Sequence, residues 1–324
     1  MSITIQDLSK RFGDFYALDH VSLEIHNGIF GLLGKNGAGK TTLMRILVTL
    51  MEPTGGEIHI NGIPVHAKNA RRIKGIVGYL PQEVGFYPGM TVYEFLYYMS
   101  MLQEVPASTA KERIETLLTQ VNLTEERNKL VKNLSGGMRR RLGLAQAMIN
   151  DPPILIVDEP TAGLDPEERV RLRNMLSYFA KDRTVILSTH IVEDIAACAN
   201  DICVLDKGHV IFHGGIEEIL EPIRGKIHSV EFGSDMERET LGDDIIIISE
   251  KYTQSSYIVR FYKETLTDTE HTHVTTEEAN IEDAFLYLTK LREKEAGGDR
   301  KSTRLNSSHS RIADGGVWVE KKRG

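Results

Sequence analysis

Short, continuous runs of apolar residues, separated by polar segments, mark the first two thirds of the chain. These runs cover residues 29–33, 76–80, 154–157 and 184–187. Continuous apolar runs of this length are typical of parallel strands that are covered on both faces. We therefore predict an α/β fold with a parallel sheet, in which ligands bind at the carboxyl ends of the strands.

Apolar residues recur at helical intervals in further segments. In residues 42–50, Leu43, Ile46, Leu47 and Leu50 recur at these intervals, which predicts a helix. A second predicted helix begins after Ser135, which is a good N-cap residue, and its stripe is Met138, Leu142, Ala145, Met148 and Ile149. Thr91 and Glu94 form a capping box at the start of a third helix.

A phosphate-binding pattern, G-x-x-x-x-G-K-[ST], lies between the first strand and the first helix. Its glycines let backbone N–H groups turn inward around phosphates, and the helix N-terminus adds its positive end. Lys40 would reach the β- and γ-phosphates of ATP, and the Thr41 hydroxyl would ligate Mg²⁺. A glycine turn with a solvated lysine is the alternative, which the order strand, loop, helix disfavours. The predicted phosphate-binding residues are Gly34, Asn36, Gly37, Ala38, Gly39, Lys40, Thr41 and Thr42.

Two adjacent carboxylates follow the run at 154–157. Asp158 would hold Mg²⁺ through the coordination shell of the ion. Glu159 would polarise the attacking water as general base. On an isolated strand, Asp-Glu-Pro would more simply be a polar strand exit. Beside a phosphate loop, we predict that both carboxylates act on the nucleotide.

Two other strand ends carry polar residues suited to the same site. His190 follows the run at 184–187 and could contact the γ-phosphate and orient the water, although a lone histidine is more often structural. Gln82 follows the run at 76–80 and could contact both Mg²⁺ and the water without adding charge. By itself that glutamine would carry no meaning.

The start of the helix after Ser135 is a second candidate anion site, because Ser135, Gly136 and Gly137 leave its N-terminus bare. Close packing of the glycines is the alternative. Since the first loop already cradles one set of phosphates, a second cradle needs a different phosphate to bind.

In their order along the chain, these motifs resemble the nucleotide-binding subunit of a bacterial ABC transporter over residues 1–221. The resemblance implies a P-loop NTPase (RecA-like) core with an antiparallel β subdomain and a helical signature subdomain. It also implies an ATPase that homodimerises on ATP, because the signature loop that contains Ser135 closes over the γ-phosphate bound to the opposite subunit. Phe12 matches the aromatic residue that stacks on adenine, and Asp165 lies in the loop that meets its counterpart across the dimer.

Met138 stands where the family's signature most often has glutamine, a variant similar to the exporter branch. The resemblance therefore implies a separate integral membrane permease, through which the subunit would power export from the cytoplasmic face of the cell membrane. Specificity would lie in that permease, so the substrate cannot be inferred. Six rings before the signature would form either the docking groove for the permease or the core of a helical subdomain: Phe86, Tyr87, Tyr93, Phe95, Tyr97 and Tyr98.

Composition agrees with such a subunit. The formal charge of −7 disfavours binding to nucleic-acid backbones, and no uncharged apolar run reaches the roughly 18 residues that a membrane span needs. Cys198 and Cys203 lack metal-ligand spacing, so we expect core packing. The alternatives are a soluble ABC ATPase acting on ribosomes or DNA, which usually has two nucleotide domains or a long insertion, and a nucleotide sensor without turnover, which Glu159 and His190 disfavour.

Beyond residue 221 the pattern changes to strand-like runs at 228–232, 245–248 and 257–261, followed by a helix through Ile281, Phe285 and Leu288. We predict a small C-terminal α+β extension at 226–298, similar to that of bacterial exporter subunits, with a structural or regulatory role. Residues 299–324 resemble a translated sequencing adapter, and we interpret them as a non-native disordered tail; a basic disordered tail is the alternative. Without this tail, which holds seven Lys/Arg and three Asp/Glu, the formal charge falls by four, from −7 to −11.

Overall fold

The computed structural model describes residues 2–232, 245–253, 256–266 and 274–294. The chain forms two compact units, of which the first ends at Pro222 and the second begins at Ile223. The segment interpreted as an adapter-derived tail, 299–324, lies outside the described residues. None of the helices in the described part of the chain is long and apolar enough to cross a membrane.

The first unit contains ten strands and eight α-helices among its described residues. The strands are β1 (Ile3–Phe12), β2 (Phe15–Ile25), β3 (Gly28–Leu33), β4 (Gly55–Ile60), β5 (Ile63–Pro64), β6 (Val77–Leu80), β7 (Ile154–Asp158), β8 (Thr184–Thr189), β9 (Asp201–Asp206) and β10 (His209–Gly215). The helices are α1 (Lys40–Leu47), α2 (Ala70–Ile76), α3 (Val92–Leu102), α4 (Ala107–Gln120), α5 (Gly136–Met148), α6 (Pro166–Phe179), α7 (Val192–Ala196) and α8 (Ile216–Leu220).

The larger sheet has the strand order β10-β9-β3-β8-β7-β6. All of its pairings are parallel except that of β9 with β10. All five residues of β7 and all six of β8 are buried, as expected for strands that are covered on both faces. The prediction of a parallel α/β sheet is confirmed, and the four predicted strands β3, β8, β7 and β6 are consecutive neighbours within it.

A second, antiparallel sheet has the order β2-β1-β4-β5. One cluster of buried residues joins this sheet to the parallel sheet and to α1, and it includes Ile3 and Ile5 of β1, Leu32 of β3 and Met44 of α1. The arrangement agrees with the antiparallel subdomain that the family resemblance implies. It also anchors the helix that follows the phosphate loop between two sheets.

Helix α1 ends earlier than the predicted 42–50 segment, and Leu50 lies outside it. The helix ends at Leu47, and Thr49 has a positive φ of 58°, so the chain leaves helical geometry before Leu50. Leu50 is 58% exposed, whereas Leu43, Ile46 and Leu47 are buried. Helical spacing beyond the last turn therefore does not place a side chain on the buried stripe.

The helical part of the first unit consists of α3, α4 and α5, and α3 packs against both of the others. The predicted capping box is present, since the Thr91 hydroxyl accepts from the Glu94 N–H and the Glu94 carboxylate accepts from the Thr91 N–H. Ser135 caps α5 as predicted, by accepting from the backbone N–H of Met138 at 3.2 Å. Four residues of the predicted α5 stripe are buried, and only Met138 is partly exposed.

The second unit contains strands β11 (Ile227–Phe232), β12 (Ile246–Tyr252), β13 (Tyr257–Tyr262) and β14 (Val274–Glu277), and a helix, α9, over residues 281–294. The strands form an antiparallel sheet in the order β12-β13-β11-β14. Arg260 on β13 pairs with Asp283 on α9 through two contacts of 2.7 Å, which fasten the helix to the sheet. Strand β14 is absent from the predicted elements, because its four residues lack buried side chains.

Candidate active site

The carboxyl ends of four neighbouring strands meet at one edge of the parallel sheet. From β3 the chain continues into the phosphate loop, from β8 into His190, from β7 into Glu159 and from β6 into Gln82. The register pairs Asp158 with Ser188 and Leu33 with Thr189. The strands β3, β7 and β8 therefore end at the same position along the sheet. The sheet topology thus brings together residues that lie far apart in the sequence.

The glycines of the phosphate loop are required by its backbone. Gly39, the N-cap of α1, has φ of 111°, and Gly37 has φ of 82°. A Cβ atom on Gly34 would lie 2.4 Å from the carbonyl oxygen of Leu205, and one on Gly39 would lie 2.4 Å from that of Ala17. Side chains at these positions would push the loop away from the sheet, so the close approach of the backbone depends on glycine.

The start of α1 is suited to an anionic ligand. Its N-cap has no side chain to accept from the first N–H groups, and its first turn contains no acidic residue. Unsatisfied N–H groups at a helix N-terminus bind phosphate oxygens readily. Asn36, Ala38 and Thr42 belong to this loop and the first turn of α1, and their role in phosphate binding stays a prediction.

Lys40 is buried, with 6% of its surface exposed. Its Nζ donates to the carbonyl oxygens of Gly34 at 2.6 Å and Lys35 at 3.3 Å, and it lies 3.6 Å from Oε1 of Glu159. Burial lowers the pKa of Lys40, whereas the negative charges of Glu159 and Asp158 oppose this shift. Both carbonyls belong to the phosphate loop, so Nζ of Lys40 lies against the backbone of that loop.

Glu159 occupies an unusual backbone conformation, with φ of 50°. Left-handed geometry is uncommon for a residue with a Cβ and costs on the order of 1–3 kcal/mol, and such residues cluster at functional sites. Its backbone N–H donates to the Ser188 carbonyl at 2.9 Å, and its Oε2 lies 2.7 Å from Nδ1 of His190. The turn after β7 thus directs a buried carboxylate toward both Lys40 and the half-exposed His190.

Asp158 is completely buried, and each of its carboxylate oxygens accepts a hydroxyl hydrogen bond. Thr41 Oγ1 donates to Oδ2 at 2.9 Å, and Ser188 Oγ donates to Oδ1 at 3.1 Å. Carboxylate and hydroxyl oxygens are ligands that Mg²⁺ prefers. The described residues contain no group of three His, Cys, Asp or Glu side chains that could hold a metal by themselves, so any Mg²⁺ here would take further oxygens from nucleotide and water.

Gln82 and Glu159 line a common cavity of about 320 Å³. Gly136, Arg140 and the 162–164 segment line the same cavity. Its described lining includes no residue of the phosphate loop, 34–42. The start of α5 therefore adjoins this edge of the sheet, beside Gln82 and Glu159.

The remaining predicted site residues are each positioned by local structure. Phe12 ends β1 and is 48% exposed, with Nζ of Lys10 at 5.2 Å from its ring centroid. Asp165 caps α6 by accepting from the backbone N–H of Glu168 at 2.9 Å. A Cβ atom on Gly137 would lie 3.5 Å from the Leu164 side chain, at ordinary van der Waals distance, so the backbone of Gly137 is not crowded by its neighbours.

Sequence reasoning missed two sets of residues that support the site. Arg140 donates from one guanidinium to four backbone carbonyls around Gln82 and Glu159. Thr161 and Asp194 are both buried and share a hydrogen bond of 2.5 Å, which joins the turn after Glu159 to helix α7 after His190. Arg140 lies between Arg139 and Arg141, so nothing in the sequence distinguishes it from its neighbours, and the partners of Thr161 and Asp194 depend on the fold.

Comparison with known proteins identifies relatives along most of the chain. Residues 18–162 match the family model for ABC transporter proteins. The Nod factor export ATP-binding protein I of Ralstonia nicotianae is 38% identical over 250 residues, which cover 75% of this chain and 73% of that protein. The protein of the same name from Cupriavidus metallidurans is 35% identical, over 89% of this chain and 97% of its own length.

Solved structures agree in fold. An ATP-binding subunit of an ABC transporter is 26% identical and superposes with a TM-score of 0.63, over 68% of this chain and 93% of its own. The ATP-binding cassette MJ0796, described as a dimer in a post-hydrolysis state bound to ADP and Pi, is 24% identical with a TM-score of 0.61, over 66% of this chain and 98% of its own. At that identity the second likeness concerns the fold alone.

Proposed function

This chain belongs to the family of ABC transporter ATP-binding subunits, and from that premise we propose that two copies close on ATP and power export through a separate membrane permease. The ATP-binding and ATP-hydrolysing character comes with the family. The catalytic roles of individual residues, the dimer and the permease are the proposal.

The position of Glu159 is the main observation that supports the proposed mechanism of ATP hydrolysis. Its buried carboxylate lies between Lys40 and His190, at the edge where the phosphate loop begins. A carboxylate there can accept a proton from the attacking water as general base. His190 would then hold the γ-phosphate and orient the water, and Lys40 would bind the β- and γ-phosphates.

Asp158, Thr41 and Gln82 would hold Mg²⁺. The buried Asp158 carboxylate and the Thr41 hydroxyl are already in contact, and Gln82 follows the neighbouring strand. When bound, the ion would neutralise phosphate charge during transfer. Phe12, at the exposed end of β1, would stack on the adenine ring, for which phenylalanine suffices.

A homodimer would complete the site. Ser135, Gly136 and Gly137 lie at the start of α5, where Gly136 lines a cavity with Gln82 and Glu159, and no residue of the phosphate loop is among the described lining of that cavity. A signature helix in this position would supply its N-terminus to nucleotide on a second copy. Asp165, in the loop beside it, would take part in the same contact between copies.

The permease would dock on the aromatic residues around α3. Phe95 is fully buried, with Phe86 at 5.3 Å between ring centroids, so part of this group is core. Tyr87 is 47% exposed and meets Tyr98 edge-on at 5.3 Å. Exposed rings of this kind provide a surface for a short amphipathic helix. The subunit would then lie peripherally on the cytoplasmic face of the membrane.

The proposal is tested by co-purifying the chain with the membrane protein encoded beside it and measuring ATP hydrolysis in vesicles. We expect the permease to raise turnover, and Tyr87→Ala with Tyr98→Ala to remove that stimulation while leaving basal turnover intact. Tyr178→Ala is the matched control, because Tyr178 is 67% exposed on α6. Equal stimulation of the double variant would contradict docking at this surface.

A further inference from the structure

We propose that Arg140 is a positioning residue of this ATPase, which holds Gln82 and Glu159 in a fixed relation to the signature helix. The inference rests on the proposed roles of Gln82 and Glu159 in hydrolysis. It concerns a side chain with no proposed contact to the nucleotide.

The guanidinium of Arg140 binds carbonyl groups from two separate segments of the chain. Nη1 donates to the carbonyl oxygens of Pro81 at 2.9 Å and Gln82 at 2.8 Å. Nε donates to that of Pro160 at 3.2 Å, and Nη2 donates to that of Asp158. Four of the five N–H donors of one planar group are therefore engaged by the loop after β6 and the turn after β7.

Two of these carbonyls flank Glu159. The carbonyl of Asp158 belongs to the peptide that precedes Glu159, and the carbonyl of Pro160 follows it by one residue. Glu159 has the left-handed φ of 50°, which persists only when surrounding contacts determine it. Arg140 thus fixes the backbone on both sides of the strained residue that directs the proposed base.

Arg140 also connects the turn after β7 to the signature residues at the start of α5. Arg140 lies one helical turn after Gly136, on the rigid helix α5 that Ser135 caps. Movement of the helix start would therefore shift the Gln82 loop and the Glu159 turn together. This link would align the base and the Gln82 side chain only when the signature helix is correctly placed.

A lysine at this position could not reproduce the link. Its ammonium has three donors and no planar fork, so it cannot span four carbonyls in the guanidinium geometry. A misplacement of about 1 Å in a catalytic site can cost on the order of 100-fold in rate. ATP affinity should depend little on Arg140, because the phosphate loop is built from other residues.

Arg141 provides a matched control on the same helix. Its Nη1 also donates to two backbone carbonyls, those of Val121 at 2.9 Å and Asn122 at 2.7 Å, and its Nε lies 3.1 Å from Glu168. These partners belong to the end of α4 and to α6. An effect due only to loss of buried arginine contacts should appear equally in Arg140→Lys and Arg141→Lys.

The experiment measures ATP affinity, kcat and KM for Arg140→Lys, Arg141→Lys and Glu159→Gln in the full chain. We expect Arg140→Lys to lower kcat by about 100-fold and to change the affinity for ATP by less than about threefold, with Arg141→Lys near wild type in both. Arg140→Gln replaces Arg140→Lys if the latter does not fold, with the same expectation. A kcat for Arg140→Lys equal to that of Arg141→Lys, or a parallel loss of affinity and rate, would overturn the inference. If Glu159→Gln keeps full turnover, the proposed base is wrong instead, which distinguishes the two failures.

Discussion

Glu159 and His190 share a hydrogen bond, with Oε2 of the glutamate 2.7 Å from Nδ1 of the histidine. The two residues follow adjacent parallel strands, and the backbone N–H of Glu159 also donates to the Ser188 carbonyl. The other oxygen of the carboxylate lies 3.6 Å from Lys40. The proposed base, the proposed switch histidine and the phosphate-loop lysine therefore form one connected group.

Replacing Glu159 by glutamine separates binding from hydrolysis. The amide keeps the shape of the side chain and can still bond to His190, but it cannot accept a proton from water. We expect ATP to bind and persist, with turnover reduced by about 10²–10⁴-fold. Phosphate release in a single turnover measures this loss, with Glu193→Gln on the exposed side of α7 as control. Undiminished turnover would show that Glu159 is not the base.

Replacing Lys40 by alanine should strongly weaken ATP binding. The phosphate loop loses its buried cation, and charge-assisted hydrogen bonds of about 1.5–3 kcal/mol correspond to a weakening on the order of 100-fold. A nucleotide titration measures the affinity. Lys111→Ala, at an exposed position on α4, should bind like wild type. An unchanged affinity of the Lys40 variant would contradict the assignment of the phosphate loop.

The common position of the phosphate loop, Asp158, Glu159, His190 and Gln82 at one edge of the sheet could be predicted, because each lies at or just beyond the end of a continuous apolar run. Arg140 could not, since its carbonyl partners lie 18 to 59 residues away in the sequence, and only the order of the strands brings them to one guanidinium. The contact of Ser188 with Asp158 could not be predicted for the same reason, because its hydroxyl donates to Asp158 from the neighbouring strand.

The antiparallel sheet shows a different limit of sequence reasoning. Strand β1 contains irregular pairings with both β2 and β4, so its alternation of buried and exposed residues is interrupted. Asp7 adopts a positive φ of 51° within it. The strand therefore lacks the strict period of two that identifies half-buried strands, and it was expected only through the family resemblance.

Thr161→Val should destabilise the first unit. Thr161 and Asp194 are each 1% exposed, and the threonine hydroxyl donates to the aspartate at 2.5 Å. Its loss would leave a buried carboxylate oxygen without this donor, at a cost of about 1–3 kcal/mol. The midpoint of urea unfolding measures the change. Thr116→Val, an exposed position on α4, should alter stability by no more than about 0.5 kcal/mol, and equal effects in both would contradict the role of the buried pair.

Cys198 should react slowly with alkylating agents. Burial raises the pKa of its thiol from 9.0 to about 11. Only the thiolate is nucleophilic, so alkylation at neutral pH should be roughly 100-fold slower than for a thiol of ordinary pKa, and should rise about tenfold with each pH unit up to the pKa. Reaction with iodoacetamide, followed by peptide mass spectrometry, gives the profile, with the urea-unfolded chain as control. A plateau reached near pH 9 would contradict the effect of burial.

The dimer proposal makes Gly136 a selective probe. A Cβ atom at Gly136 would find no atom within 4 Å, so an aspartate there should leave the folded monomer and its phosphate loop unchanged. In the proposed dimer, however, the carboxylate would face a phosphate bound to the other copy. Like charges in a partly dry contact should cost several kcal/mol. Gly75 is a matched control, because its Cβ position is equally open on α2.

The most direct test of the two-subunit account is the molar mass in solution, measured by light scattering with and without ATP. We predict that Glu159→Gln and Glu159→Gln/Gly75→Asp double in mass when ATP is added. Glu159→Gln/Gly136→Asp should bind ATP with equal affinity and remain a monomer. An ATP-dependent doubling of mass in Glu159→Gln/Gly136→Asp would contradict the proposal that the signature helix meets nucleotide on a second copy.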